Sequence, residues 1–422
     1  MSARNLLARH AAAAVNDALA DTRVVLINGA RQVGKSTLVK TVAGERAAQW
    51  RDLDRPQDRQ SALADPVGFI DFDGPMVIDE IQRVPELLLA IKVAVDGDQR
   101  PGRFLLTGSS RLLGLRDLPD TLVGRMETVE LWPFSQGEID DAPDGFIDAV
   151  FRNGPTIRHE STISRVEYTE RVVRGGLPEA VARTDARRRG IFIDNYVQNL
   201  IERDVRQLAD IERAPQLATL IRLLAARSGG LVAAGALEKE LELSRNTIQR
   251  YMRLLEEIFL IKRVPGWRPN LGARATAAPK LVFVDSGVAA RLLAADSHTL
   301  RRPGSPFGPL LESFVSSELA RQLTWSDTLA DMYHYRDKNK VEVDIVLEDR
   351  HGTVVAIEVK AASTVRSEDF RGLQRLESQL GDDFLVGIVL YTGTETLPFG
   401  HKLRALPVSA LWQMPQDWQP RR

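Results

Sequence analysis

The sequence predicts an α/β protein: a parallel sheet with a helical lid, then a winged helix, then a second α/β domain. Three observations lead there. The first 150 residues alternate short apolar runs with helical patterns, as strands joined by crossover helices do. Residues 228–270 read as two helices around a tight turn, followed by a strand. After Leu310 strand and helix patterns alternate again, to about Tyr391. At 422 residues the chain exceeds one ordinary core. The expected partition is 1–150 for the sheet domain, 151–227 for the lid and 228–270 for the winged helix. A Pro-, Gly- and Ala-rich linker follows at 271–308 with a short strand embedded at 280–285, then the second α/β domain at 309–395 and a tail at 396–422.

Composition bounds the setting. Hydrophobic residues at 44% and charged residues at 27% are the balance of a soluble globular protein. Net charge is −1, so any polyanion must be met by a local patch rather than a global field. The absence of cysteine excludes a disulfide scaffold, thiolate zinc sites and cysteine catalysis, and it fits a cytoplasmic protein. The N-terminal alanine run is bracketed by Arg9, His10, Asn16 and Asp17, which reads as a short amphipathic helix and not a signal peptide. No stretch approaches the roughly 18 apolar residues of a membrane span.

In the first domain, strands are expected at 24–28, 76–79, 104–107 and 128–131, with helices at 35–42 and 86–95. The first strand runs into Gly29, Ala30, Arg31, Gln32, Val33, Gly34, Lys35, Ser36 and Thr37, the G-x-x-x-x-G-K-[ST] pattern between a strand and a helix that marks the sheet as that of a P-loop NTPase. Glycines let the loop wrap its N–H groups around phosphate oxygens, and the helix adds its positive N-terminal end. Lys35 then neutralises the β- and γ-phosphates of ATP, and the Ser36 hydroxyl completes Mg2+ coordination. The run at 76–80 is an apolar strand ending in Asp79, a magnesium holder, and Glu80, which orients or deprotonates water. At the end of the 104–107 strand, Ser109 is placed to touch the γ-phosphate or the water. Arg125 is the candidate arginine finger, acting in a neighbouring subunit or after domain closure.

The lid begins near Glu167, where the pattern turns helical. Tyr196, Val197, Leu200, Ile201, Val205 and Leu208 form one apolar face, and Pro215 opens the next helix. In the winged helix, Ser244 is an N-cap for a helix over 245–257 whose buried stripe is Ile248, Tyr251, Met252 and Leu255. Its opposite face offers Arg245, Asn246, Gln249, Arg250 and Arg253 to phosphates and base edges. Nucleic acid is the expected partner there, DNA ahead of RNA.

The C-terminal domain carries a second constellation. Glu312 opens an amphipathic helix, Asp344 lies on a strand, and Glu358 and Lys360 lie on the next, where alternation puts them on one face. A hairpin brings Asp344 beside them. Glu312, Asp344 and Glu358 are the expected metal ligands, with Asp344, Glu358 and Lys360 forming a phosphodiester-cleaving centre.

The acid followed by Glu-x-Lys, in this order of elements, resembles the restriction-endonuclease-like fold. Nearly end to end, the chain resembles a family of prokaryotic AAA-superfamily ATPases that carry a C-terminal domain of unknown function with a nuclease-like fold. The resemblance rests on the runs at 29–38, 77–85, 106–110, 174–178 (R-G-G-L-P) and 280–287, and on the Glu-Val-Asp and Glu-Val-Lys strands. Ala30 stands where that family often has proline, and Ser36 where threonine is frequent; neither removes a ligand. The resemblance implies nucleotide work for Lys35, Ser36, Asp79 and Glu80, and a nuclease-like site at Asp344, Glu358 and Lys360. A homo-oligomer fits sites of this type, which complete themselves between subunits. Two functions remain open: an ATPase with a metal-dependent nuclease, and an ATP-gated switch whose nuclease-like domain is silent.

Overall fold

The computed structural model describes residues 6–44, 47–109, 122–205, 214–231, 234–274, 277–417 and 419. The chain forms two units, one from Ala8–Pro133 and a larger one from Phe134–Glu256 and Leu260–Arg422.

The first unit holds a five-stranded, all-parallel sheet. Its strands are β1 (Val24–Asn28), β2 (Gln49–Asp52), β3 (Met76–Asp79), β4 (Phe104–Gly108) and β5 (Met126–Glu130), in the order β2-β3-β4-β1-β5. Strands β1, β3 and β4 are buried at every residue, which is why they read as unbroken apolar runs. Two edges differ from expectation. β2 is a polar, half-buried edge strand with no apolar signal, and β5 starts two residues early because its outer positions are exposed. β4 also separates β3 from β1, so Asp79 is not on the strand adjacent to the P-loop strand.

Helix Leu87–Gly97 covers one face with Leu87, Leu88, Ile91 and Val95, against Leu26, Ile78 and Leu106. Each such side chain contributes about 1.5–3 kcal/mol by leaving water. Helix Lys35–Gly44 leaves the sheet directly after the loop.

In the larger unit, helix Arg165–Arg174 opens with a capping box between Ser164 and Glu167. Helix Ala186–Asn199 runs on into a π-helical turn at Leu200–Val205; of the expected apolar face Tyr196 and Leu200 are buried and Val197 and Ile201 half-buried, while Leu208 lies outside the described residues. Helix Ala214–Ala226 carries Pro215 in its first turn. Next come helices Ala234–Leu241 and Arg245–Glu257, the second capped by Ser244 Oγ, which accepts the Thr247 N–H at 3.2 Å. β6 (Ile261–Val264) then pairs antiparallel with β7 (Lys280–Phe283).

The short strand expected at 280–285 is present as β7, but its pairing corrects the linker expected around it at 271–308. β7 is fully buried, and helix Ser286–Leu292 buries Val288, Ala289 and Ala290 behind an Asp285 cap. The small residues that suggested a linker instead allow close packing: a Cβ on Gly287 would sit 2.9 Å from the Arg174 carbonyl oxygen.

The C-terminal sheet is mixed, in the order β12-β13-β11-β10-β9-β8. Its strands are β8 (Ala330–Arg336), β9 (Glu342–Asp349), β10 (Val354–Lys360), β11 (Phe384–Tyr391), β12 (Leu397–Pro398) and β13 (Leu403–Pro407). β10 and β11 run parallel, as do β11 and β13; β8, β9 and β10 form antiparallel hairpins. Helix Phe307–Gln322 is buried almost all round and is not the amphipathic helix expected. It holds Glu318 and Arg321 as an internal ion pair at 2.5 Å, and Glu318 also accepts the Gln136 N–H at 3.0 Å. The expected tail is folded too. β13 sits inside the sheet, and Trp412 is buried against Tyr168 and Phe314, with the Arg171 guanidinium 5.2 Å from its ring. Among the described residues, no helix is long and apolar enough to cross a membrane.

Candidate functional site

The loop after β1 is shaped by its backbone. A Cβ on Gly29 would fall 2.1 Å from the Leu131 carbonyl oxygen, so only glycine passes there. Gly34 takes φ 97°, and Gln32 bends into the left-handed region at φ 61°. Ala30 and Val33 are buried, Arg31 is half-buried, and Gln32 and Thr37 are exposed. Lys35 is buried and donates from Nζ to the carbonyls of Gly29 and Ala30, both at 2.9 Å. A residue that the motif does not include braces the loop. Arg9 donates to the Val33 carbonyl at 2.7 Å and to the Trp132 carbonyl at 2.6 Å, joining the loop to the segment after β5.

The acidic half is organised by β4, the strand in between. Asp79 is buried at the end of β3, and its Oδ1 accepts the Ser36 hydroxyl at 3.2 Å. The Thr107 hydroxyl donates to the same oxygen and accepts the Glu80 N–H at 3.0 Å. One buried hydroxyl thus fixes both acids. Glu80 sits in the left-handed region at φ 58°, a conformation that costs a non-glycine residue about 1 kcal/mol or more. Its Oε2 accepts the Ser109 hydroxyl at 3.1 Å and the Gln82 amide, and Gln82 also donates to Ser109 Oγ at 2.8 Å. Lys35, Ser36, Asp79, Glu80 and Ser109 are therefore brought together. Thr107, Gln82 and Arg9 are additions that sequence reading missed. Thr107 and Gln82 lie inside quoted motifs, while Arg9 carries no local signal. The Ser36 hydroxyl and the Asp79 carboxylate converge as a hydrated divalent cation requires.

Arg125 is not part of this group. It precedes β5, and its carbonyl accepts the Val24 N–H at the start of β1, whereas the P-loop follows the end of β1. Its guanidinium is paired with Asp96. The length of a strand separates it from the phosphate loop of its own chain, so domain closure cannot make it a finger there.

The exposed face of helix Arg245–Glu257 carries Arg245, Asn246, Gln249, Arg250 and Arg253, opposite buried Ile248, Tyr251, Met252 and Leu255. Polar donors are thus presented outward by a helix anchored on its other side.

In the C-terminal sheet, β9 and β10 pair as a hairpin, which brings Asp344 to the backbone of β10: its Oδ2 accepts the Val359 N–H at 2.9 Å. Glu358 Oε1 accepts the Lys360 ammonium at 2.9 Å. Glu312 faces the same cluster. Burial, reinforced by Asp344, pushes Glu312 up to about 8 and Glu358 up to about 7. The cluster also contains Lys280 from β7, whose Nζ lies 2.6 Å from Glu312 Oε1 and 3.1 Å from Asp344 Oδ1. Burial alone would lower the Lys280 pKa, but Asp344 and Glu312 hold it above the ordinary lysine value. The three expected metal ligands, Glu312, Asp344 and Glu358, thus share their cluster with an ammonium that stands between the first two.

Residues 21–140 match the model of an AAA domain. The first unit is an AAA-type P-loop domain. Residues 165–299 and 307–411 match two domains of unknown function, DUF8612 and DUF4143. An uncharacterised protein of Mycobacterium tuberculosis is 28% identical over 407 residues, covering 96% of this chain and 84% of its own; one of Mycobacterium bovis matches equally. Among solved structures, a Walker-type ATPase of Pyrococcus abyssi aligns over 68% of this chain and 96% of its own, with 16% identity and a TM-score of 0.44. The AMPPCP-bound DnaA of Aquifex aeolicus aligns over 58% and 86%, with 13% identity and a TM-score of 0.29.

Proposed function

We propose that this chain is an ATP-hydrolysing switch acting on nucleic acid, with DNA favoured over RNA. Its P-loop domain binds ATP with Mg2+, and its nucleotide state governs a winged helix whose exposed basic helix face meets DNA. The observation that carries the reading is the linked set Ser36–Asp79–Thr107–Glu80–Ser109. A loop that merely bound phosphate would need none of the acidic half.

Lys35 exchanges its two carbonyl partners for phosphate oxygens and offsets their charge. Ser36 and Asp79 hold the magnesium ion, which supplies Lewis-acid neutralisation of the β- and γ-phosphates when bound. Glu80 takes a proton from the attacking water while Ser109 and Gln82 hold its carboxylate in position. In this reading the C-terminal domain, read as restriction-endonuclease-like, works by binding and not by cutting. A second reading, a metal-dependent phosphodiesterase, has one observation in its favour: Glu358 Oε2 is buried and has no hydrogen-bond partner.

The test supplies magnesium, ATP, and labelled single- and double-stranded DNA and RNA to the wild type and to Glu358→Ala. ATP turnover with every strand intact is the predicted result. Strand scission by the wild type that disappears in Glu358→Ala replaces the switch with the phosphodiesterase.

A further inference from the structure

The carboxylate cluster of the C-terminal domain contains a cation that belongs to a different part of the fold. Lys280 begins β7, the strand paired with β6 directly after the helix–turn–helix, and its side chain is only 4% exposed. Its ammonium reaches Glu312 on helix Phe307–Gln322 at 2.6 Å and Asp344 on β9 at 3.1 Å. Three elements far apart in sequence meet at one nitrogen.

Most of the carboxylate oxygens of the cluster are already engaged. Asp344 Oδ1 faces Lys280 and its Oδ2 accepts the Val359 N–H at 2.9 Å. Glu358 gives one oxygen to Lys360 at 2.9 Å, and Glu312 gives one to Lys280. That leaves Glu358 Oε2 and the second oxygen of Glu312, with neither oxygen of Asp344 to join them. Magnesium and manganese require several oxygens at short range, and two ammonium groups within the same cluster repel a doubly charged ion. A lysine offers three donors and a single charge at the spacing observed, which suits a shared position between two carboxylates.

We infer that Lys280 is the resident cation of this cluster, standing where a divalent metal would sit and tying the β6–β7 hairpin to the C-terminal sheet. The cluster is then an ion-paired joint. The inference rests on the cluster alone and does not depend on the ATP-switch reading.

Manganese binding decides it, followed by electron paramagnetic resonance of the full-length chain without nucleotide. An Asp79→Asn background keeps the P-loop site from contributing. With Lys280 present, a further Asp344→Asn change leaves the bound Mn2+ unaltered. Lys280→Met, whose stem has similar length and no charge, gains one Mn2+ ion, and that gain is lost again when Asp344→Asn is added. Far-UV circular dichroism establishes that each variant is folded; if Lys280→Met does not fold, the comparison at Asp344 decides alone. Mn2+ bound in the presence of Lys280 and lost on Asp344→Asn overturns the inference. So does a folded Lys280→Met that gains no ion.

Discussion

Replacing Glu80 by glutamine separates binding from chemistry more cleanly than any other single change in the P-loop domain. Glutamine keeps a carbonyl oxygen able to accept from Ser109 and Gln82, and it keeps the length of the side chain. The left-handed backbone at φ 58° is as costly for glutamine as for glutamate, so folding is nearly unaffected, within about 0.5 kcal/mol. What disappears is a group able to take a proton from water. General-base catalysis contributes about 10²–10⁴-fold, so turnover should fall by that factor, roughly 3–5 kcal/mol in the barrier. Nucleotide affinity should stay within a few-fold of wild type, because Lys35 and the loop N–H groups are untouched. Steady-state ATP turnover, nucleotide binding by fluorescence and thermal unfolding are measured on the same preparation. Turnover within about threefold of wild type, with nucleotide bound, would refute Glu80 as the base, since even the weakest general base is worth more.

Other consequences are as specific. Thr107→Val removes the hydroxyl shared by Asp79 and the Glu80 N–H while keeping its volume, and it should cost about 1–3 kcal/mol in denaturant unfolding as well as turnover. Trp412→Ala empties a fully buried site between Tyr168 and Phe314 and should lower stability by about 3–5 kcal/mol, seen as a large drop in Tm. His334 is buried, donates to the Ala278 carbonyl at 2.9 Å, and is pushed down to about 4 by burial. Its neutral form is favoured in the fold, so its contribution is intact above the unfolded value of 6.5 and is lost as pH falls from there to about 4. The loss is about 1.4 kcal/mol per pH unit. Glu312, Glu318 and Glu358 slope the other way, so the check is the wild type minus His334→Gln difference in unfolding free energy between pH 4 and 7. A difference that does not vary with pH contradicts the assignment.

What the sequence disclosed, and what it hid, follows from the range of the interactions. The P-loop and the 76–80 strand were legible because their function depends on residues adjacent in the chain, where spacing carries the geometry. The Asp344–Glu358–Lys360 grouping was legible because a hairpin is a local fold and strand alternation fixes the face. Lys280 was not, because its partners lie 32 and 64 residues away and nothing in β7 marks one buried lysine as ionic. Arg9 was hidden for the same reason. The polar edge strand β2 lacked an apolar signal, and the 271–308 segment misled because Ala, Gly and Pro serve close packing as well as linkers. Arg125 is a different case: a lone arginine in a glycine turn suggests a finger, and the parallel register, by placing it at the far end of β1, leaves only the loop of a neighbouring subunit for it to reach.

The central claim is that the nucleotide state controls contact with DNA, and fluorescence anisotropy of labelled duplex DNA tests it most directly. Glu80→Gln is titrated into DNA with ATP, with ADP and without nucleotide, at fixed salt, beside an Arg245→Ala/Arg250→Ala variant. The account predicts affinities that differ between ATP and ADP, and weaker binding with a shallower salt dependence in the double variant. Equal affinity in all three nucleotide states, or binding indifferent to Arg245 and Arg250, contradicts it.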